Sequence, residues 1–388
     1  MTPPFRSHNG HNNVNEIKVM APEFATKAEI VASAPGRANL IGEHVDYAGG
    51  VVLPFAITNR TFAAISRRND TKIIVHSSQS GNSASTTVED LARFNGANWA
   101  RYPLGVIDIL HKAGFDFPGL EIHIDGNVPH GAGLSSSAAL ECAVAMGINE
   151  LLSLGITRLE LAKIAQRAEN EYVGMPCGLM DQATSMLARE DHILQFDCLT
   201  FDYDYLPFDL DSQELKILLI DSRVKHALVD GGYASRFAAC ETAKNTLHLN
   251  SLRELKRDAF EKAELEPLIR KRISHVVSEM ERVEAAEIAL KNNDFALVGA
   301  LMNQSHASLR DQYEVSCEEL DLICDLSLSH GAIGARMMGG GFGGSAIVLT
   351  PKNSREEILA HIKQEFEKRN FTPVNLISAA PSEGARIE

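Results

Sequence analysis

Between Leu120 and Leu152 the spacing of apolar residues changes from one regular period to another, and a glycine-rich loop sits at the change. Leu120, Ile122 and Ile124 alternate with Glu121 and His123, the two-residue period of a half-buried strand. From Ser136 to about Leu152 the period is helical, with Ala139, Cys142, Ala143, Met146 and Leu151 on one side. A strand that enters a helix through glycines confines the chain to an α/β or α+β architecture. The rest of the chain keeps this mixture. Residues 72–76 and 346–349 read as strands, and residues 158–173, 251–262, 275–291 and 317–329 read as helices. The acidic, aromatic stretch 201–212 is the best candidate for a change of domain.

The loop itself, Val128-Pro129-His130-Gly131-Ala132-Gly133-Leu134-Ser135-Ser136-Ser137-Ala138, sits where free backbone N–H groups and the positive helix end can face a phosphate. A serine there can cap the helix, and its hydroxyl can also ligate Mg²⁺. A capped helix after a tight turn is the plainer reading. The loop is not a Walker A motif, because no Gly-Lys dipeptide occurs in the chain, and it lacks the third glycine of a dinucleotide fingerprint.

Two further clusters are hard to explain as packing. The stretch Ala34-Pro35-Gly36-Arg37-Ala38-Asn39-Leu40-Ile41-Gly42-Glu43-His44-Val45-Asp46-Tyr47 places Arg37, Glu43, His44 and Asp46 within ten positions. These groups suit a polar, hydroxylated ligand, and a solvated loop is the alternative. Gly339-Gly340-Gly341-Phe342-Gly343-Gly344 abandons side-chain packing and leads into a strand, which points to close approach of backbone to a ligand or another segment. Between these lie Glu169, Gly178 and a lone carboxylate, Asp181, among small and apolar residues.

Composition narrows the partners. Lys plus Arg is 37 and Asp plus Glu is 51, a formal charge of −14, which makes the chain a poor candidate for sequence-independent binding to nucleic-acid phosphates. No apolar run approaches the ~18–20 residues that cross a bilayer. The polar first twenty residues read as a flexible leader without the apolar core of a secretory signal. Six dispersed cysteines without a C-x-x-C pair read as reduced thiols of a cytoplasmic protein.

In this order and spacing the three clusters resemble the GHMP kinase superfamily, and within it the galactokinases, from about Glu29 to the C-terminus. Residues 35–47 look like the sugar-binding motif, 131–138 like the phosphate loop and 339–344 like the third glycine motif. Ala38 and Val45 stand where Val and Thr are usual in that family. The resemblance implies an α+β, two-domain GHMP kinase fold. It comprises an N-terminal domain like ribosomal protein S5 domain 2 and a C-terminal ferredoxin-like α/β sandwich, with the active site in the cleft between them. It divides the chain into a leader (1–20), a sugar- and ATP-binding domain (21–212) and a C-terminal domain (213–388). Asp181 would be the catalytic base, with Arg37 beside it stabilising transition-state charge. Glu43, His44, Val45, Asp46, Gly178 and Tyr233 would line the sugar site. Gly131, Ala132, Gly133, Leu134, Ser135, Ser136 and Ser137 would bind ATP, and Ser137 with Glu169 would hold Mg²⁺. His226 and Tyr233 lie in a stretch, 223–241, that shares the likeness. The implied partners are galactose and ATP, with no nucleic acid or membrane, and the implied state is a monomer. N-acetylgalactosamine or arabinose as the sugar, or a galactose- and ATP-binding sensor without activity, are the alternatives. The intact Ser135-Ser136-Ser137-Ala138 run speaks against the sensor.

Overall fold

The strand-loop-helix unit at residues 119–151 forms the centre of the first half of the molecule in the computed structural model, which describes residues 27–225 and 229–388. The leader at 1–20 and His226 lie outside the described residues. In chain order the strands are β1 (Ile30–Asn39), β2 (Val51–Val52), β3 (Pro54–Arg68), β4 (Lys72–Ser77), β5 (Asn82–Thr87), β6 (Gly119–Gly126), β7 (His192–Asp197), β8 (Tyr203–Pro207), β9 (Leu215–Lys225), β10 (Gly334–Met338), β11 (Gly343–Pro351), β12 (Asn375–Ile377) and β13 (Arg386–Ile387). The helices are α1 (Arg101–Lys112), α2 (Ser136–Leu151), α3 (Arg158–Arg167), α4 (Met180–Leu187), α5 (Val229–Thr246), α6 (Arg257–Lys262), α7 (Pro267–Lys291), α8 (Phe295–Ser308), α9 (Glu318–Ser329) and α10 (Arg355–Lys368).

Six strands form the first sheet in the order β13-β1-β3-β6-β4-β5, with β4 and β6 parallel and the other pairs antiparallel. Along β6, Leu120, Ile122 and Ile124 are buried while Glu121 and His123 stay half-buried, as the alternation predicts. Helix α2 covers the inner face of β1 and β3. It is buried on nearly every side, from Ala138 to Ile148, so its side chains are small: Ala138, Ala139, Cys142, Ala143 and Ala145. The second sheet runs β10-β11-β9-β12, entirely antiparallel, with α8 and α9 against β10. A small third sheet has the order β2-β7-β8. Among the described residues, no helix is long and apolar enough to cross a membrane.

Two expected helices take different forms. The 158–173 pattern divides into α3 and a π-helical turn, Ala168–Val173, that carries Glu169. The 251–262 pattern breaks after a capping box, in which the Ser251 side chain accepts from Arg253 N and Glu254 reaches back to Ser251 N. Extended backbone at Lys256 then separates that turn from the short α6. The helix expected at 275–291 starts earlier, at Pro267, because Glu266 caps it and proline fits the first turn.

The two halves are joined by buried polar contacts. Arg336, fully buried on β10, donates from Nε to Leu40 O (2.8 Å) and from Nη2 to Asn39 O (2.5 Å) and Glu43 Oε1 (3.1 Å). Glu279 on α7 accepts from Gly42 N (3.0 Å), and His275 on the same helix donates to Glu43 O (3.1 Å). The backbone of residues 39–43 is therefore held in place by the second half of the chain.

Removing one partner of a buried ion pair leaves the other unsolvated. Arg336→Met is expected to cost about 3–5 kcal/mol in urea unfolding, and adding Glu43→Gln to it should recover part of that loss. Two independent, additive losses would show that the pair does not couple the halves.

Candidate functional site

The phosphate-type loop between β6 and α2 has two glycines in the left-handed region, Gly131 (φ 76°) and Gly133 (φ 72°). Ser135, the residue before α2, also takes a left-handed conformation and makes no side-chain cap. The capping role open to it from the sequence is not used. Its hydroxyl turns away and donates to Asp181 Oδ2 at 2.5 Å. The first N–H groups of a 16-residue helix are thus left without a side-chain partner, which is how a helix end presents positive potential to an anion. Ala132 and Leu134 are core residues that contribute only backbone: Ala132 O accepts from Ser345 Oγ (2.7 Å) and Leu134 O from Arg37 N (3.2 Å). Ser136 Oγ lies 3.1 Å from His130 Nδ1, and Ser137 hydrogen-bonds Glu169.

The glycines of 339–344 are explained by what they pass. A Cβ on Gly341 would stand 2.3 Å from Val315 O, and one on Gly339 3.2 Å from Gly133 O. The run threads between the phosphate-type loop and the segment after α8, where only bare backbone fits.

Arg37 lies on β1 after a bulge between Pro35 and Arg37. Its Nε donates to Asp181 Oδ1 (2.8 Å) and its Nη1 to Gly133 O (2.6 Å). Asp181 is in the first turn of α4. Hydrogen bonds to both of its oxygens, from Arg37 and Ser135, fix the carboxylate directly beside the loop. Three sequence candidates from three separate elements meet here.

The rest of 43–47 divides by role. Glu43 Oε1 is taken up by Arg336 and by Gly339 N (2.9 Å), so this side chain ties the segment to the glycine run. Val45 is in the core, and its carbonyl closes the turn by accepting from Ala48 N and Gly50 N. His44, at φ 61°, has its Nδ1 2.8 Å from Tyr47 OH, which in turn lies 2.9 Å from Tyr313 OH. Burial pushes the His44 imidazole down to about 3, so it is neutral at ordinary pH. Tyr233 on α5 packs 5.5 Å from His44 and 5.6 Å from Tyr47, centroid to centroid. Gly178 must be glycine, because a Cβ there would stand 2.0 Å from Asp46 Oδ2. Asp46 and Gly178 open onto a cleft of about 290 Å³. A larger cleft of about 520 Å³, lined by Phe208, Leu215 and Leu376, holds none of these groups.

Carboxylates crowd the site. Burial, with Asp181 adding to it, pushes Asp46 up to about 7 and Glu169 up to about 7. Glu141, fully buried on α2, is raised well above the usual range by burial and by Glu169. Gln182 bridges the two, donating to Glu169 Oε2 (2.7 Å) and Glu141 Oε2 (3.4 Å). Sequence reading passed over Glu141, Gln182, Tyr313 and Arg336. Glu141 had a usable signal, a charge among the small apolar residues of a helix face; Tyr313 had none, because only tertiary packing brings it to His44.

Asp46 gives a pH signature. Its carboxyl titrates near 3.8 when unfolded and near 7 when folded, so the unfolded chain loses that proton first. The stability it contributes is present below about pH 4 and is lost as pH rises through about 7. Asp46→Asn should therefore lose less unfolding free energy than the parent chain across that window, measured by urea titration at several pH values. Parallel profiles would show that Asp46 titrates as an ordinary surface carboxyl.

With this geometry in place, comparison with known proteins is specific. Residues 21–67 match the galactokinase galactose-binding signature, 101–189 the GHMP kinase N-terminal domain and 286–368 the GHMP kinase C-terminal domain. The galactokinase of Streptomyces coelicolor is 41% identical over 368 residues, covering 94% of this chain and 95% of that protein. That of Thermotoga petrophila is 44% identical over 338 residues, covering 86% and 94%. The crystal structure of Lactococcus lactis galactokinase complexed with galactose superposes with a TM-score of 0.89 at 30% identity, covering 96% and 98%. Methanococcus jannaschii mevalonate kinase, at 19% identity and a TM-score of 0.65, shares the fold. A two-domain GHMP kinase fold, the sugar-binding signature and identity over nearly the whole chain lead to one assignment: this chain belongs to the galactokinase family of ATP-dependent sugar kinases.

Proposed function

We propose that the chain transfers the γ-phosphoryl group of ATP to the C1 hydroxyl of α-D-galactose, giving α-D-galactose 1-phosphate and ADP. The observation that carries this reading is the bonded chain Arg37–Asp181–Ser135, which joins the sugar-type segment to the phosphate-type loop. Phosphoryl transfer asks mainly for positioning and charge stabilisation, and this chain supplies both at one point. In the proposed reaction Asp181 accepts the C1 hydroxyl proton as the sugar oxygen bonds to the γ-phosphorus and the bond to the ADP oxygen breaks. Arg37 faces the charge that develops. The uncapped N–H groups of α2 and the bare backbone of 131–134 hold the ATP phosphates. Asp46 and His44, with Tyr233 beside them, orient the sugar hydroxyls, and Gly178 leaves them room.

Ser137 and Glu169 suit a hard divalent cation. They are oxygen donors already in contact, and Glu169 stands in a buried group of carboxyls whose mutual repulsion a cation would relieve. Mg²⁺ held there would neutralise phosphate charge. The six free cysteines suit a reducing compartment, and we place the enzyme in the cytoplasm.

The test is ADP release from ATP with Mg²⁺ and galactose, N-acetylgalactosamine, arabinose, glucose or no sugar. Galactose should support the fastest turnover, and Asp181→Ala should lower kcat by about 10²–10⁴-fold while the protein still folds. Galactose binding without ADP release would make the chain a sensor. Near-normal turnover in Asp181→Ala would remove that residue from the proton transfer.

A further inference from the structure

The outer face of the first sheet carries a group of side chains that the kinase reading does not use. In the parallel pair β4–β6, His76 stands directly beside His123, and Glu121 is two residues back on the same face of β6. The two imidazole rings stack with centroids 4.2 Å apart and planes 6° from parallel. His76 Nε2 lies 3.3 Å and His123 Nε2 3.6 Å from the same carboxylate oxygen, Glu121 Oε1. One donor atom from each of the three residues falls within 4.8 Å of the other two.

We infer that His76, Glu121 and His123 form a binding site for a divalent transition metal, with Zn²⁺ the ion it fits best. Two imidazoles and one carboxylate are the donor set of open zinc sites, which keep a fourth position for water or another ligand. Zinc bonds to nitrogen and oxygen of roughly 2.0–2.2 Å at a tetrahedral angle put the donors about 3.4 Å apart. The two nitrogen-to-oxygen separations fall on either side of that value.

The surrounding groups favour the ligand role. His76 Nδ1 is 2.6 Å from Ser83 Oγ on β5, and donation from Nδ1 to that oxygen leaves the lone pair on Nε2, the nitrogen that faces Glu121. Glu121 uses its other oxygen, Oε2, to accept from Arg68 Nη1 at 3.0 Å, which turns Oε1 toward the imidazoles. Arg68 would repel a cation, but its charge is offset by Asp70, which accepts from Nε and Nη2 at 2.8 Å each. Bound metal would clamp β4 to β6, the parallel pair of this sheet.

A second histidine pair, His330 and His361, stacks at 3.7 Å near Glu357, whose side chain is exposed. Together with His8 and His11 of the leader, it supplies the natural controls. The full-length chain, stripped of divalent ions, is titrated with ZnCl₂ by calorimetry and with Co²⁺ by visible absorption. The expected result is a zinc site that His76→Ala, His123→Ala or Glu121→Gln each weakens by at least about tenfold. The zinc-dependent rise in Tm should vanish in the His76→Ala/His123→Ala double variant, while Tm without metal and sugar-kinase turnover stay unchanged. His330→Ala/His361→Ala and His8→Ala/His11→Ala should bind as the parent does. Zinc binding that persists in the His76→Ala/His123→Ala variant, or no zinc binding by the parent chain, overturns the assignment.

Discussion

The contact on which the molecule depends is the buried pair between Arg336 and Glu43. An arginine with no exposed surface is tolerated only when its donors are used, and here they reach three backbone carbonyls and a carboxylate. Those partners include Asn39, Leu40 and Glu43, the backbone of the sugar-type segment. The segment belongs to the first half of the chain, yet the second half dictates its shape. Gly42 N to Glu279 and Glu43 O to His275 act in the same way. Damage to this set would be felt at Arg37 and Asp46 before any substrate arrived, so the joint between the halves and the site are one construction.

The second constraint is electrostatic. Asp181 adds to the upward push of burial on Asp46, Glu141 and Glu169, Glu169 adds to that on Glu141, and Arg37 is bonded directly to Asp181. Burial alone would protonate such groups, and Asp46 and Glu169 move that way. Asp181 differs in its partners: an arginine on one oxygen and a serine hydroxyl on the other. Those two bonds hold the carboxylate between Arg37 and the phosphate-type loop.

Sequence periodicity recovered the elements that carry a regular apolar stripe, such as β6 and α9, because burial of one face is a local property of the chain. It misjudged 251–262, where a capping box opens a single turn that stops before extended Lys256 and charge spacing mimicked a helix. The candidate site was legible through residues that bury no apolar side chain: the glycine runs, Arg37 and Asp181. It was not legible where a side chain does something other than its usual work. Ser135 looks like a helix cap and instead orients Asp181, and Glu43 looks like a sugar ligand while one of its oxygens braces the glycine run. Val45 shares the polar motif, yet its side chain is core.

The strand that opened the sequence argument also shows why a pattern can be read correctly and still be read incompletely. On β6 the buried series Leu120, Ile122 and Ile124 fixes which face joins the core. The other series, Glu121 and His123, was then only the polar side of the alternation. Parallel pairing with β4 brings His76 into register with His123, and antiparallel pairing of β5 brings Ser83 beside His76. Three strands thereby assemble, on the solvent side, a set of donors as ordered as the apolar set beneath it. A period of two sorts residues into faces but carries no information about neighbours across the sheet. Chemistry placed on a strand is therefore invisible along the chain and becomes readable only once the register is known.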